Sequence, residues 1–247
     1  MKHFGYLRKA VRAYGEAHHF TCDICGRETF KTGRVCEPCM RTLPRVGEIY
    51  CPFCGRKSLE AGVCMECKRM PLAVEKARAV CTHDGAAARL VVALKRGKRY
   101  FARTAAELML PLLAEFPHAD LMISVPMTKR GERRRGYNQS RLLGQELSRL
   151  SGIPFSEPVQ KTRETISQKL LTRQERESNL AGCFRVRERK AVCGKNLLIV
   201  DDTLTTGTTA SELARVLKNA GANEVYLLTF TSVQSKNPFD EPKGERG

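Results

Sequence analysis

Residues 196–221 constrain the fold of this chain most, because an apolar run, a polar turn and an amphipathic stretch follow one another there. Residues 197–200 are all apolar, and a run that short between polar neighbours predicts a buried strand rather than a helix. In residues 210–220 apolar side chains recur every three or four positions, which predicts a helix that ends near Gly221. The stretch therefore predicts one strand–turn–helix unit.

The turn of this unit carries two carboxylates and a loop rich in hydroxyl groups. Asp201 and Asp202 follow the apolar run, and residues 203–209 contain several threonines and one glycine. The backbone N–H groups of 206–209 would face out of the helix N-terminus, where the helix dipole favours an anion. The carboxylates suit vicinal ribose hydroxyls or a hard divalent cation such as Mg²⁺. The turn predicts a site for a phosphorylated sugar, since the alternative, an ordinary helix cap, needs only one such residue.

This stretch resembles the signature with which type I phosphoribosyltransferases bind phosphoribosyl pyrophosphate (PRPP): a hydrophobic run, two acidic residues and a Thr-Thr-Gly-x-Thr loop. It matches neither the GxxxxGK[ST] loop nor the GxGxxG loop, which disfavours a P-loop NTPase and a dinucleotide site. The resemblance implies that Asp201 and Asp202 are the catalytic carboxylates, which meet the ribose hydroxyls or their Mg²⁺. The residues that it implies for the 5′-phosphate are Thr205, Thr206, Gly207, Thr208 and Thr209.

Eight of the eleven cysteines lie between residues 21 and 69, as four CxxC pairs. The pattern is C-x2-C-x10-C-x2-C and then C-x2-C-x9-C-x2-C. Four thiolates complete a closed tetrahedral site and favour zinc, so two structural Zn²⁺ ions are predicted. Sequential pairing, with one zinc per repeat, is the simplest arrangement, and interleaved pairing stays open. The predicted ligands are Cys22, Cys25, Cys36, Cys39, Cys51, Cys54, Cys64 and Cys67.

Charge and hydropathy limit the partners and the compartment. The chain has 43 Lys+Arg and 26 Asp+Glu, and the net charge of +17 favours a polyanion such as nucleic acid. No apolar run approaches 18 residues, so no membrane span is expected. Residues 1–20 lack the features of a signal peptide, so a reducing, cytoplasmic compartment is expected. The unpaired Cys81, Cys183 and Cys193 are expected to be small buried apolar side chains.

Strands and helices alternate in the rest of the chain, which predicts a parallel α/β sheet. Three segments are expected: an N-terminal segment with a double zinc ribbon at 1–70, a phosphoribosyltransferase-like domain at 71–232 and a polar tail at 233–247, with a linker at 68–76. The predicted strands are 77–82, 120–127, 158–162, 184–186, 197–200 and 224–232, and the predicted helices are 85–95, 100–116, 137–150 and 210–220. Pro111 is expected to kink the second of these helices.

A basic segment at 128–139 follows the strand predicted at 120–127 and is predicted to be a flexible loop. Ligands of parallel sheets bind at the carboxyl ends of the strands, so Lys129, Arg133 and Arg135 are predicted to contact diphosphate or DNA. A solvated surface turn is the alternative. A second basic stretch at 95–99 is expected to add contacts to nucleic acid. Base stacking is expected to be minor, from Tyr100, Phe101 and Tyr137.

Three motifs together resemble the ComF family of competence proteins. Val125-Pro126, with RGYNQ at 135–139, resembles the VP…RGxNQ segment of that family, and the loop at 205–209 is a second motif. The third motif consists of Thr165, Ser167, Gln168, Arg173 or Arg176, Asn179 and Leu180. The resemblance covers roughly residues 21–232, and the eight cysteines resemble the double zinc ribbon form of the family.

The resemblance implies a type I phosphoribosyltransferase fold fused to a zinc ribbon. It also implies a role in DNA uptake, in which the protein binds PRPP with Mg²⁺ and handles single-stranded DNA beside a ComF-type helicase. It implies no particular acceptor. Two alternatives stay open: an active phosphoribosyltransferase of nucleotide metabolism that releases diphosphate from PRPP, and a non-catalytic scaffold in which the loop is a relic or a sensor.

Overall fold

The structure, a computed structural model, describes residues 21–29, 33–164 and 182–234. Its helices there are α1 (Glu37–Arg41), α2 (Met65–Arg69), α3 (Gly85–Lys95), α4 (Phe101–Met109) with a 3-10 turn at Leu110–Glu115, α5 (Lys129–Arg135), α6 (Gln139–Ser151), α7 (Arg189–Val192) and α8 (Thr208–Asn219). Its strands are β1 (Lys76–Thr82), β2 (Leu121–Ser124), β3 (Phe155–Ser156), β4 (Val159–Lys161), β5 (Phe184–Val186), β6 (Leu197–Leu204) and β7 (Val225–Ser232).

Five strands form one parallel sheet in the order β1-β7-β6-β2-β3. The predicted α/β class is confirmed. The apolar run of β6 is fully buried, because helices cover both faces of a parallel sheet. The strand extends past the predicted end at Val200, since Asp201 and Thr203 keep their pairing with Thr229 and Thr231 of β7. The two carboxylates therefore belong to the strand and have its rigidity.

The core has two halves, one on each face of the sheet. On the first face α3, α4 and α6 pack against the sheet, with residues such as Leu90, Met109 and Leu143. On the second face α8 packs beside the second cysteine repeat, so Leu213 and Cys54 belong to one apolar cluster. The second cysteine repeat is thus built into the core of the sheet domain.

The basic segment contains a helix, and the prediction of a flexible loop there was wrong. The Oγ1 of Thr128 accepts a hydrogen bond from the Gly131 N–H at 3.0 Å and caps the start of α5. Gly136, with φ of +88°, ends the helix in the left-handed conformation. Arginine and lysine are good helix formers, and they fill the interior of α5 without an apolar stripe to reveal it. The next helix then begins at Gln139, after Asn138 as its N-cap.

The edges of the sheet also differ from the prediction. Strands were predicted at 158–162 and 184–186, and the corresponding β4 and β5 form a separate antiparallel pair outside the main sheet. The short edge strand β3 was not predicted, because two residues carry no detectable alternation. The helix predicted at 100–116 with a kink at Pro111 is instead an α-helix that ends at Met109, followed by a 3-10 turn that contains Pro111.

Some sequence-based expectations lie outside the described residues, namely the ComF-like motif at 165–180 and most of the polar tail. Cys81 and Cys183 are buried as expected, but Cys193 is exposed, so that prediction was wrong for Cys193. In the part of the chain that the structure describes, no helix has the length and apolar character needed to cross a membrane.

Candidate functional site

The two carboxylates near the end of β6 are held by side chains from the N-terminus of α6. Oδ1 of Asp201 accepts hydrogen bonds from the Ser140 hydroxyl at 2.5 Å and from the Asp202 backbone N–H at 2.9 Å. Oδ1 of Asp202 accepts one from the Gln139 amide at 2.9 Å. α5 and then α6 follow β2, the neighbour of β6, and these hydrogen bonds place the first turn of α6 beside the carboxyl end of β6. The pair is therefore fixed in orientation before any ligand binds.

Lys95 distinguishes the two carboxylates electrostatically. Its ammonium lies 2.5 Å from Oδ2 of Asp202, whose side chain is almost fully buried. Burial raises the pKa of Asp202, but the charge and hydrogen bond of Lys95 outweigh it and hold that pKa below its ordinary value. Burial, and then the charge of Asp202, raise the pKa of Asp201 to about 7. Asp201 has no basic partner at ion-pair distance among the described residues, which leaves it the carboxylate open to a cation or a sugar hydroxyl.

Residues 205–209, predicted to bind the 5′-phosphate and named the phosphate loop for that prediction, turn at Gly207. Gly207 has φ of +80° and is the N-cap residue of α8, so the chain enters the helix through a left-handed residue. A Cβ there would be strained at this φ and would also overlap the side chain of Leu72, which would have to move. The loop is therefore fixed with the N-terminus of a 12-residue helix behind it, where backbone N–H groups favour an anion.

The structure brings the predicted loop residues and the first carboxylate together. A small cavity of about 30 Å³ is lined by Asp201 and by Thr205, Gly207 and Thr209 of the phosphate loop. Thr206 and Thr208 bond to each other through their hydroxyls at 2.9 Å. The arrangement offers hydroxyl and backbone donors beside one carboxylate, which is the chemistry that a sugar phosphate requires.

The three predicted basic contacts lie in three different settings. Nη1 of Arg135 donates to Oε1 of Gln139 at 2.6 Å, and Gln139 in turn donates to Asp202, so Arg135 lies two hydrogen bonds from the carboxylate pair. Lys129 lines a separate, larger cleft. Arg133 is exposed on α5. Among the described hydrogen bonds, Arg135 is the one of the three that is linked to the carboxylates, and the link runs through Gln139.

The larger cleft has a volume of about 620 Å³ and lies between the end of β2, α5 and the β4–β5 pair. Charged side chains dominate it. Arg141 is paired there with Glu132 and, at 2.7 Å, with Glu157. The other basic residues of its lining are Lys129, Arg130, Lys161, Arg163 and Arg187. The excess of positive over negative groups suits an anionic ligand next to the carboxyl edge of the sheet.

The two basic stretches of the sequence meet at one edge of the molecule. Nη2 of Arg99 donates to the Gly136 carbonyl at 3.0 Å, and its guanidinium lies 4.6 Å from the centre of the Tyr137 ring. Tyr137 and Phe101 are both buried, so the expectation that they stack on bases was wrong. Tyr100 is 51% exposed and remains available for stacking.

The cysteines form two clusters grouped in sequence order. The four sulfurs of each repeat lie within 4.8 Å of one another. Cys25 and Cys36 have their sulfurs 3.7 Å apart, as do Cys54 and Cys64. A tetrahedral ion with metal–sulfur bonds of about 2.3 Å separates its sulfurs by about 3.8 Å, so both clusters fit such an ion. With four protein ligands each, the clusters suit structural metal ions and leave no open position for substrate.

The second cluster is anchored to β1 through backbone contacts. The Ala77 N–H donates to the Phe53 carbonyl at 2.8 Å. A Cβ on Gly55 would lie 2.5 Å from the Ala77 carbonyl oxygen. A hydrogen bond with Cys67 and the charge of Arg56, against burial, lower the pKa of the Cys54 thiol to about 5, which favours the thiolate that a metal needs.

Four residues of this site were not predicted as site residues. Gln139 and Ser140 begin α6, the second helix after β2, and a polar pair at the start of a helix between two parallel strands is a signal that could have found them. Lys95 was assigned only to a basic surface stretch. Arg56 contacts the carbonyl of Thr205, a residue 149 positions away, and no spacing in the sequence indicates that contact.

Comparisons with known proteins agree with this architecture. Residues 140–243 match the phosphoribosyl transferase domain family. The DNA utilization protein YhgH of Shigella flexneri is 35% identical over 204 residues, which cover 78% of this chain and 88% of that protein. YhgH of Escherichia coli (strain K12) is 34% identical with the same coverage. The competence protein ComFC of Bacillus subtilis (strain 168) is 26% identical over 234 residues, which cover 87% of this chain and 92% of that protein.

The parallel sheet, the β6–α8 loop and the domain match define a protein with a phosphoribosyltransferase-like domain preceded by a module of two four-cysteine clusters. Relatives more than 30% identical extend this similarity through most of the chain. The chain belongs to the ComF family, as its motifs indicated.

Proposed function

We propose that this protein binds PRPP with Mg²⁺ at the β6–α8 loop and binds single-stranded DNA, and that it acts in DNA uptake. One observation carries the first part: Asp201 and Asp202 are held by hydrogen bonds from α6, and Asp202 lies five positions before a left-handed glycine that opens α8. Asp201 would meet the ribose hydroxyls or Mg²⁺, and Thr205, Thr206, Gly207, Thr208 and Thr209 would hold the 5′-phosphate. Lys95 already neutralises Asp202, so a single divalent cation suffices to balance the pair.

Equilibrium dialysis with PRPP tests the ligand. We expect saturable binding of about one PRPP per chain, weaker without added Mg²⁺, because a divalent ion bridges carboxylate and diphosphate oxygens. Ribose 5-phosphate should compete, since it shares the 5′-phosphate and the ribose. If folded, metal-loaded protein binds neither compound, the proposed ligand is wrong.

The proposed DNA contact follows from the position of the basic residues. Lys129, Arg133 and Arg135 lie on one short helix, and Arg99 ties the 95–99 stretch to the end of that helix. A continuous basic edge of this kind binds phosphates, with little discrimination among bases. The names of the relatives, a DNA utilization protein and a competence protein, agree with a role in handling DNA.

Zinc is proposed for both cysteine clusters, since four thiolates in a closed tetrahedral arrangement favour it. The ions would be structural and would contribute much of the folding free energy of residues 21–70. A ComF-type helicase is proposed as the partner on the basis of the family alone.

A second function, transfer of the phosphoribosyl group with release of diphosphate, is favoured by the 620 Å³ cleft beside the carboxyl edge of the sheet. Lys129 in the cleft and Arg135 beside Gln139 would stabilise the charge on the departing diphosphate. Release of pyrophosphate from PRPP with any of the common nucleobases would establish this activity. A complete panel without release leaves a protein that binds PRPP as a sensor.

A further inference from the structure

Arg56 connects the second cysteine cluster to the phosphate loop. It lies two positions after Cys54, and its Nη2 donates a hydrogen bond to the backbone carbonyl of Thr205. The side chain is only 4% exposed, and its Nε has no hydrogen-bond partner in the described part of the chain. A buried guanidinium is costly unless an anion balances it.

The loaded cysteine cluster would provide that anion. Four thiolates and one divalent ion carry a net charge of about −2, and this cluster is mostly buried. Arg56 is held against this cluster, since its backbone carbonyl accepts a hydrogen bond from the N–H of Cys51 at 2.9 Å. With the ion bound, the guanidinium is balanced on one side by the cluster and bonded on the other side to the phosphate loop.

Two further contacts connect the same repeat to the phosphate loop and the helix behind it. The side chain of Leu72, three residues beyond the end of α2, packs against Gly207 so closely that a Cβ there would overlap it. The Ala73 N–H donates to the hydroxyl of Ser211 in the first turn of α8, at 3.2 Å. The segment expected to be a linker is therefore a support for the loop.

The first repeat provides an internal comparison. In both repeats the first CxxC pair ends in the sequence Cys-Gly-Arg, as Cys25-Gly26-Arg27 and Cys54-Gly55-Arg56. Arg27 is exposed, whereas Arg56 is buried against the phosphate loop. The same local sequence thus lies in two different environments. Among the described residues of the two arginines' surroundings, Arg56 contacts the phosphate loop and Arg27 faces solvent.

We propose that Arg56 is a positioning residue that couples the metal occupancy of the second cysteine cluster to the conformation of the phosphate loop. When that metal is lost, the cluster no longer holds the net negative charge that balances Arg56. The phosphate loop then loses its support from Arg56. The consequence for PRPP rests on the proposed function, whereas the coupling between cluster and loop does not.

Hydrogen–deuterium exchange without any ligand tests the coupling. In Arg56→Met we expect the amides of the phosphate loop to exchange about tenfold faster, since a hydrogen bond from a charged group is lost, while β6 and β7 stay protected. Cys64→Ser, which breaks the second cluster, should give the same pattern. The matched variants Arg27→Met and Cys36→Ser should leave the loop unchanged.

Unchanged loop exchange in folded Arg56→Met overturns the proposal. If that variant does not fold, Arg56→Gln and the wild-type protein stripped of metal from its second cluster take its place, and unchanged exchange there has the same meaning. Calorimetric titration of PRPP into the same variants adds a second readout, with an affinity about tenfold weaker expected for Arg56→Met. A wild-type protein that binds no PRPP contradicts the proposed function, and the exchange data still decide the coupling.

Discussion

The ammonium of Lys95, the last residue of α3, lies 2.5 Å from Oδ2 of Asp202, near the end of β6. One helix on the first face of the sheet thus supplies the counter-charge for a carboxylate that is 3% exposed. The neighbouring Asp201 receives no such charge at ion-pair distance from the described residues. The two acidic residues of the motif therefore differ in their electrostatic surroundings before any ligand binds, although both are aspartates and the sequence alone does not distinguish them.

Replacing Lys95 should destabilise the protein. In Lys95→Met a buried carboxylate loses its partner, and we expect the free energy of unfolding at pH 7 to fall by about 3 kcal/mol. Urea unfolding of the wild type and the variant measures this difference. Arg96→Met, which removes an exposed charge one residue further on, should change stability by less than about 0.5 kcal/mol.

The deficit of Lys95→Met should depend on pH with a defined sign. In the wild type the lowered pKa of Asp202 makes the ion pair stabilising at neutral pH, and this contribution is lost as the pH falls through that pKa. In the variant burial still raises the pKa of Asp202 and the hydrogen bonds of Gln139 and Thr203 still lower it, but the larger lowering effect of Lys95 is gone. The pKa of Asp202 should therefore be higher in the variant, and its stability deficit relative to the wild type should grow as the pH rises from 4 to 7. A difference between the two proteins that is the same at pH 4 and pH 7 would contradict the assignment.

Local patterns predicted the strand–turn–helix unit and the cysteine clusters well, because their constraints lie within a few residues. The Leu197–Val200 run, the turn at Gly207 and the CxxC spacing each encode their structure locally. The helix α5 escaped prediction because its charged residues leave no apolar period to detect.

Contacts between distant segments could not be predicted from a single sequence. Nothing local distinguishes Arg56 from Arg27, yet one is buried at the phosphate loop and the other is exposed. The exposure of Cys193 could not be predicted either, because it depends on the position of this residue at the end of the short helix α7 and not on the residue type. Assembly of the site therefore depends on tertiary packing, which the secondary-structure propensities of individual residues do not predict.

The glycines that follow the first CxxC pair of each repeat, Gly26 and Gly55, should respond differently to substitution. Gly26 and Gly55 have similar φ values, +71° and +66°, so alanine costs about 1 kcal/mol of backbone strain at either position. Only at Gly55 would the new Cβ also meet the backbone of β1, at 2.5 Å from the Ala77 oxygen. We expect Gly55→Ala to lose about 3 kcal/mol in total. Urea unfolding of both variants measures the difference, and equal losses would show that the repeat is not docked on β1.

Metal content should report the sequential grouping of the cysteines. The double variant Cys22→Ser/Cys36→Ser damages only the first cluster, so it should keep one of two bound metal ions. The double variant Cys22→Ser/Cys51→Ser damages both and should keep none. Mass spectrometry of metals in gel-filtered protein counts them, and the reverse pattern would indicate interleaved pairing.

The basic edge should determine how DNA binding depends on salt. Removing Lys129, Arg133 and Arg135 together by alanine should weaken binding of a labelled oligothymidylate and reduce the slope of log K against log salt by about 2. Replacing the exposed Arg27, Arg41 and Arg69 of the cysteine module removes the same charge elsewhere and should leave the slope nearly unchanged. Fluorescence anisotropy across a salt series makes the comparison, and equal slopes in both triple variants would place the DNA site elsewhere.

Calorimetric titration of PRPP with Mg²⁺ into the wild type and into Asp201→Asn/Asp202→Asn tests the central proposal most directly. We expect micromolar binding by the wild type and at least a hundredfold loss in the double variant, because the carboxylates that meet the ribose and its cation are gone. Circular dichroism and metal content confirm that both proteins are folded. Equal affinities in the two proteins, or no binding by the folded, metal-loaded wild type, would contradict a PRPP site at the β6–α8 loop.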